Sequence, residues 1–525
     1  MNDCNNIKES RTKNSIKNIS TGALVQIINK LMAFIVRTFF IKALNSEYLG
    51  INGLFTNVLT ILSFAELGIG TAIIYNMYKP VSENDKEKVK SLMKLYQKSY
   101  NVIGIVVFFT GLAIIPFLNY IIGKAPDIKE NIIFIYILFL FNTASSYFFT
   151  YKRSIIYAYQ KQSVIDSIDS IFYLCKSIIQ ILILVFTRNY ILYLITQILI
   201  TIVQNIIISI KANKMYPFLK EKNVVKLSKN EKKNIFRNVK SLFVYKLGGI
   251  IMNGTDNILI STLINVGMVG MCSNYMLVID SIKAIISTAL NGVTASVGNL
   301  NAIDNSQKSE KVFYQLTFIN YFIYSFCAIA FSVLLNPFIK IWLGNQYILD
   351  IGVPVSLALC FYIEGLRNPT YIYRTTLGLF ERAKLTPYIA IIVNIGLSVV
   401  FCKKIGVIGI FLATSIAQLV SYTWIDPYLI YRYKFQKSVS IYYKKYIYYM
   451  IIFFIELISC LALSSLTNIE SVKGFIINII IVILIPNIVN LIIFKNSDEF
   501  IEIKNHIIYP IVKKIRLYIS NLKFI

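Results

Sequence analysis

Histidine is almost missing from this chain: 525 residues contain one, His506, in a basic C-terminal tail. That excludes a histidine-ligated metal centre and leaves no imidazole for acid–base work elsewhere. The seven cysteines, Cys4, Cys175, Cys272, Cys327, Cys360, Cys402 and Cys460, form no CxxC pair. A zinc ribbon or dithiol redox motif is therefore excluded, and six of the seven lie in or beside apolar runs, where cysteine packs as a small hydrophobe. Neither a cofactor nor a metal is expected. Charge is scarce as well, at 15% of residues, where a soluble domain carries roughly 25%. With 56% hydrophobic residues, a soluble core could not hide so much apolar surface. Gly68 and Gly70 lack a preceding strand and a third glycine, so they are not a nucleotide fingerprint.

Long apolar runs take the place of what is absent. Residues 131–151, 177–210, 446–466 and 474–494 are nearly free of charge, and about 20 apolar residues as helix span a hydrocarbon core. No run alternates polar and apolar residues as barrel strands do. The chain reads as an all-α polytopic membrane protein with about fourteen spans. These are expected near 20–44, 48–77, 100–122, 131–151, 164–187, 190–210, 241–264, 267–299, 312–341, 350–373, 385–402, 406–430, 446–466 and 474–494. A polar, basic segment 1–19 precedes a first apolar run long enough to stay as an anchor, so no cleavable signal is expected.

Acidic residues are half as common as basic ones, 26 against 53, for a net charge of +27. The excess follows topology. With the N-terminus inside, the inner segments hold 39 Lys and Arg and the outer ones seven. Lys and Arg concentrate on the cytoplasmic side of membrane proteins, so both termini are expected in the cytoplasm. A charge spread over every inner loop suits anionic lipid headgroups, not nucleic acid. The chain then divides into segment 1–19, a first lobe 20–210, a basic linker 211–240, a second lobe 241–430, two further spans in 446–494 and an amphipathic tail 495–525. The lobes echo each other faintly: Leu44-Asn45 before Tyr48-Leu49-Gly50 resembles Leu263-Ile264 before Met268-Val269-Gly270. Repeats of this kind occur in transporters whose substrate path lies between lobes.

Ions inside spans need a reason, because each costs about 2.5–3.5 kcal/mol at mid-bilayer by insertion scales. The cations are Lys30, Arg37, Lys42, Lys176, Lys246, Lys283 and Arg367. Lys42 and Lys246 lie near span ends and can snorkel. Lys30 and Arg37 are two helical turns apart, on one face of a first helix that carries three cations and no acid. That face is expected to line water or an anionic ligand. Among the acids, Asp280 with Lys283 and Glu364 with Arg367 are i, i+3 pairs. Asp166, Asp169 and Asp426 lie near the inner boundary, where water can reach them.

The stretch from Glu47 to Tyr75, with Tyr48-Leu49-Gly50 and Glu66-Leu67-Gly68-Ile69-Gly70, followed by Met77-Tyr78-Lys79-Pro80, resembles the Wzx-type polysaccharide flippases of the MOP (multidrug, oligosaccharidyl-lipid, polysaccharide exporter) superfamily. The resemblance covers residues 20–105, and span count and linker match beyond them. It implies two six-helix lobes in a V plus two C-terminal helices, rocking between inward and outward openings in the bacterial cytoplasmic membrane. It also implies a substrate of undecaprenyl-diphosphate carrying an oligosaccharide repeat unit, for O-antigen, capsule or other surface polysaccharide. A cationic cavity would meet the diphosphate; by position Lys30 and Arg37 are the first candidates, then Lys283, Arg367 and Lys176. Membrane lipids and the polysaccharide polymerase and export machinery are the further partners implied. The alternative within the superfamily is a cation-coupled multidrug antiporter of the MATE type, with Glu66, Asp169 and Asp256 as candidate coupling sites. A membrane enzyme such as a glycan polymerase would need an outer catalytic surface. The outer connections are short and carry no histidine, so an enzyme is not expected.

Overall fold

The computed structural model describes residues 25–66, 69–221, 223–225, 227–302, 306–379, 382–467, 472–505 and 509. The expected segment 1–19 and most of the tail from 506 onward lie outside these residues. Within them every regular element is helical. The helices are α1 (25–43), α2 (Ser46–Leu62), α3 (Ile69–Ser82), α4 (Lys86–Ile114), α5 (Leu118–Ile122), α6 (Ile132–Thr150), α7 (Arg153–Ala158), α8 (Gln162–Thr187), α9 (Tyr190–Met215) and α10 (Lys229–Leu263). They continue as α11 (Val266–Ala302), α12 (Ser306–Leu343), α13 (Gly352–Leu366), α14 (Asn368–Thr376), α15 (Thr386–Ile405), α16 (Val407–Val420), α17 (Tyr422–Ile430), α18 (Ser440–Ser464), α19 (Val472–Phe494) and α20 (Asp498–Ile503).

Ten helices among the described residues are long and apolar enough to cross a membrane. Their most apolar stretches are mostly on the outside; in α8 and α19 only 22% of that stretch is buried. Water would not tolerate such surfaces, so the protein is a multi-pass membrane protein. Four of the expected fourteen spans have no counterpart among the ten, for identifiable reasons. The first, described as α1, carries three cations, Lys30, Arg37 and Lys42, in 19 residues. The span at 48–77 is interrupted by a 3₁₀ turn, Ser63–Glu66, between α2 and α3. That at 350–373 breaks at Arg367, where Asn368-Pro369 starts a new helix; proline cannot donate to the preceding turn and restricts the residue before it. The span at 241–264 belongs to α10, where Lys246, Asn253, Thr255, Asp256 and Asn257 make the stretch too polar.

The chain forms two compact units, residues 1–289 with 402–410, and residues 290–401 with 411–525. In the first, asparagines start four of the helices. Asn45 Oδ1 accepts from the amides of Glu47 and Tyr48 at 3.0 and 3.2 Å, capping α2. Asn131 caps α6, Asn189 caps α9, and Asn265 Oδ1 accepts from Met268 N at 2.7 Å at the start of α11. Each cap satisfies an amide that a helix start leaves without a partner. The faint sequence echo is physical here. Asn45 and Asn265 each stand five residues before a glycine, Gly50 and Gly270, and the two glycines bring α2 and α11 together. A Cβ on Gly50 would lie 1.9 Å from the Val266 carbonyl oxygen, and one on Gly270 would lie 2.0 Å from that of Ser46. Only glycine lets backbones approach so closely.

The second unit is organised around α12, whose apolar stretch is 61% buried and which packs on α13, α18 and α19. Aromatic rings fill the joins. Tyr321 stacks on Tyr449 at 4.4 Å between centroids and donates to Asn490 Oδ1 at 2.9 Å. Tyr362 stacks on Phe453 at 3.9 Å.

Candidate functional site

Five helices of the first unit line a half-open cavity of about 250 Å³. The first helix supplies Arg37 and Phe40, α2 supplies Asn52 and Gly53, and α8 supplies Tyr173, Lys176 and Gln180. Tyr193 and Gln197 of α9 and Ser273 and Leu277 of α11 complete the wall. Helical spacing explains the polar side: residues 173, 176 and 180 fall one turn apart, as do 193 and 197, so each helix turns one polar stripe out of an apolar surface.

Among the described residues, two cations line this wall and no carboxylate does. Arg37 Nη1 donates to Ser273 Oγ at 2.8 Å and to Asn274 Oδ1 at 3.1 Å. Both acceptors are neutral, so the guanidinium is anchored without being neutralised. The Lys176 ammonium lies 5.2 Å from the centre of the Tyr173 ring, an attraction to the ring face that leaves its charge intact. Two positive charges in a low-dielectric wall favour an anion that can replace water around them.

The structure gathers some of the expected cations and not others. Arg37 and Lys176 share the cavity. Lys30 is half-buried on the same helix but is not in its wall; seven residues place it about 10 Å along the axis from Arg37. Lys283 is half-buried on α11, outside the wall, and has an interaction partner. Arg367 belongs to the second unit, where its Nη1 donates to Gln418 Oε1 at 2.9 Å and its guanidinium lies 3.7 Å from the Tyr422 ring centre. The Lys246 side chain is outside the described residues.

The three acids considered for ion coupling are separate. Glu66 Oε1, in the 3₁₀ turn, accepts from Tyr100 OH at 2.6 Å, and Tyr96 OH donates to Tyr100 OH at 3.3 Å. Asp169 binds Arg153 Nη1 at 2.8 Å and Gln204 Nε2 at 2.6 Å. Asp256 is buried on α10 and has a partner. Asp426 is not wetted as its position in the sequence suggests. It is fully buried, with Oδ1 2.7 Å from Nη1 of the equally buried Arg374.

Sequence reasoning missed Tyr173, Gln180, Tyr193 and Gln197 because none carries charge. Their signal was the recurrence of polar residues at one-turn intervals in otherwise apolar helices. It missed Arg374 because that residue falls one position beyond the expected span at 350–373.

Comparison with known proteins adds a family and a fold. The family described as polysaccharide biosynthesis protein matches residues 15–295. A search of curated protein sequences returns no match. Among solved structures, the chain is similar to the lipid II flippase MurJ in an inward closed conformation. The TM-score is 0.61 at 16% identity, covering 90% of this chain and 99% of that one. It is also similar to a multidrug resistance MATE family transporter of the MOP superfamily in an inward-facing conformation, with a TM-score of 0.58 at 16% identity, over 77% and 97% of the two chains. A MOP superfamily transporter from Pyrococcus furiosus gives 0.51 at 14%, over 81% and 97%. At such identities the likeness establishes the fold alone.

Proposed function

The chain belongs to the polysaccharide biosynthesis protein family, and from that premise we propose that it is a flippase for lipid-linked oligosaccharides. It moves undecaprenyl-diphosphate-linked repeat units from the inner to the outer leaflet of the bacterial cytoplasmic membrane by alternating access. Residues 20–210 and 241–430 act as the two rocking lobes, and both termini are cytoplasmic. The observation that carries this reading is the cavity wall in which Arg37 and Lys176 stand with no carboxylate among the described residues. A diphosphate needs such a wall. Its charges cannot enter hydrocarbon bare, whereas an anchored guanidinium and an ammonium can replace their hydration. The polyprenyl tail stays in lipid, and the sugars follow the head through the wet side. Lys30, about two turns along the same helix, is a natural earlier contact on that path, with Lys283 and Arg367 as contacts in the second lobe.

A membrane potential negative inside helps the outward step, by about 2.3 kcal/mol per charge per 100 mV. The alternative, a cation-coupled multidrug antiporter, draws its support from Glu66 held by Tyr100; Asp169 already has Arg153 as its counter-ion. The two readings separate in one experiment. Surface glycan and membrane-inserted protein are quantified in cells carrying Arg37→Gln with Lys176→Gln. The flippase reading expects the repeat unit to accumulate on the inner leaflet while the protein remains at parental level. Undiminished surface glycan in that double variant would sink it.

A further inference from the structure

A second basic cavity, of about 460 Å³, lies in the first unit where α4 begins, α6 ends and the chain leaves α9. Its charged lining is Lys90 and Lys94 of α4, Lys152 just after α6, and Lys220 with Glu221 beyond α9. The single acid is committed: Lys90, almost fully buried, lies 2.6 Å from Glu221 and 2.5 Å from Glu87. Lys152 is half-buried and donates to the neutral Asn213 Oδ1 at 3.1 Å. Among the described residues, no carboxylate lies within ion-pair distance of Lys94, Lys152 or Lys220. The four lysines and two acids leave two positive charges uncompensated. Burial, and then the neighbouring Lys220 cation, hold the Lys152 ammonium below its ordinary range. An anion bound beside these ammonium groups would offset the repulsion between them.

Location adds to charge. Thr150 ends a membrane-spanning helix, so Tyr151 and Lys152 stand at the boundary between hydrocarbon and water. Lys94 and Gln97 are exposed on α4 before its apolar part begins. A ligand there meets ammonium groups on one side and the bilayer surface on the other.

We infer that this cavity is a phosphate site at the membrane surface, binding a phospholipid headgroup or a free phosphate species. The inference is independent of the transport reading, since it shares no residue with the Arg37 cavity. It is tested on the full chain purified in neutral detergent, by saturation binding of three probes: short-chain phosphatidylglycerol, inorganic phosphate and zwitterionic phosphatidylcholine. The variants are Lys94→Gln with Lys220→Gln, and Lys152→Gln alone. Lys90 is left in place because its loss would strand two carboxylates. Saturable binding of phosphatidylglycerol or of phosphate is expected, unaffected by phosphatidylcholine and at least tenfold weaker in the double variant. Binding of phosphatidylglycerol only identifies the lipid headgroup as the source, and equal binding of inorganic phosphate identifies a soluble one. Lys152→Gln supplies the same weakening should the double variant elute as aggregate. No saturable binding by the parent chain, or the same affinity in parent and variants, overturns the site.

Discussion

Gly50 and Gly270 face each other across the crossing of α2 and α11, each occupying space that the other helix's backbone would deny to any larger residue. The Cβ that Gly270 lacks would meet the Gly50 amide nitrogen at 2.9 Å as well as the Ser46 carbonyl oxygen. Backbone cannot swing aside as a side chain can. Gly270→Ala is therefore expected to destabilise the protein by about 1–3 kcal/mol, the usual range for overpacking. Gly53→Ala is the control, since its Cβ would meet only a Val269 methyl at an ordinary 3.5 Å. Thermal unfolding in detergent reads both; a Gly270→Ala protein as stable as Gly53→Ala would contradict the packing argument.

Arg37 offers a sharper test than charge removal. Arg37→Lys keeps the charge but loses the planar donor that spans Ser273 and Asn274. Arginine and lysine are not equivalent where several hydrogen bonds fix the geometry. Glycan export is expected to fall in Arg37→Lys and to be abolished in Arg37→Gln. Parental export in Arg37→Lys would mean that anchoring is irrelevant.

The buried pair Arg374–Asp426 is expected to be intolerant of single changes. Removing one partner leaves an uncompensated charge in an apolar interior, at about 3–5 kcal/mol. Arg374→Met with Asp426→Leu removes both charges and should return most of the lost stability. Detergent melting curves of the two single variants and the double variant form the cycle. Additive losses would show that the two ions do not depend on each other.

Tyr100→Phe removes the hydroxyl donor to Glu66, and a half-buried carboxylate oxygen that loses its donor is costly by about 1–3 kcal/mol. Glu66→Gln retains an acceptor and is expected to be milder. For a flippase that needs no ion at Glu66, both variants export glycan at parental rates per molecule in the membrane. A specific transport defect in Glu66→Gln would favour ion coupling instead.

How much of this was legible depended on what each residue contributes to an average. Apolar runs announce spans because about 20 side chains vote together. That is why α6, α8, α9, α18 and α19 lie where expected. Breaks do not announce themselves. Ser63–Glu66 and Arg367 each change the backbone within a few residues, and hydropathy over a window smooths them away. Arg37 stood out as a charge in an apolar helix, and the cavity accounts for it. Lys30 shared its face by the seven-residue spacing, yet one face of a helix extends past any one cavity. Asp426 looked wet because its partner, Arg374, is 52 residues away in sequence, and pairing at that distance is invisible to spacing. The Asn45–Gly50 and Asn265–Gly270 match was visible as an echo, but its meaning, a mutual close approach, needed coordinates.

The interruption between α2 and α3 bears on how the molecule is made. With 17 and 14 residues, neither helix reaches the thickness of a bilayer by itself. A break in a helix interrupts the run of backbone hydrogen bonds that lipid cannot replace. During synthesis this interrupted span is expected to pass into lipid less readily than an unbroken helix. Its shielding comes from α4 and α10, against which the two halves pack. A four-residue turn thus ties the burial of this span to helices that follow it in the chain.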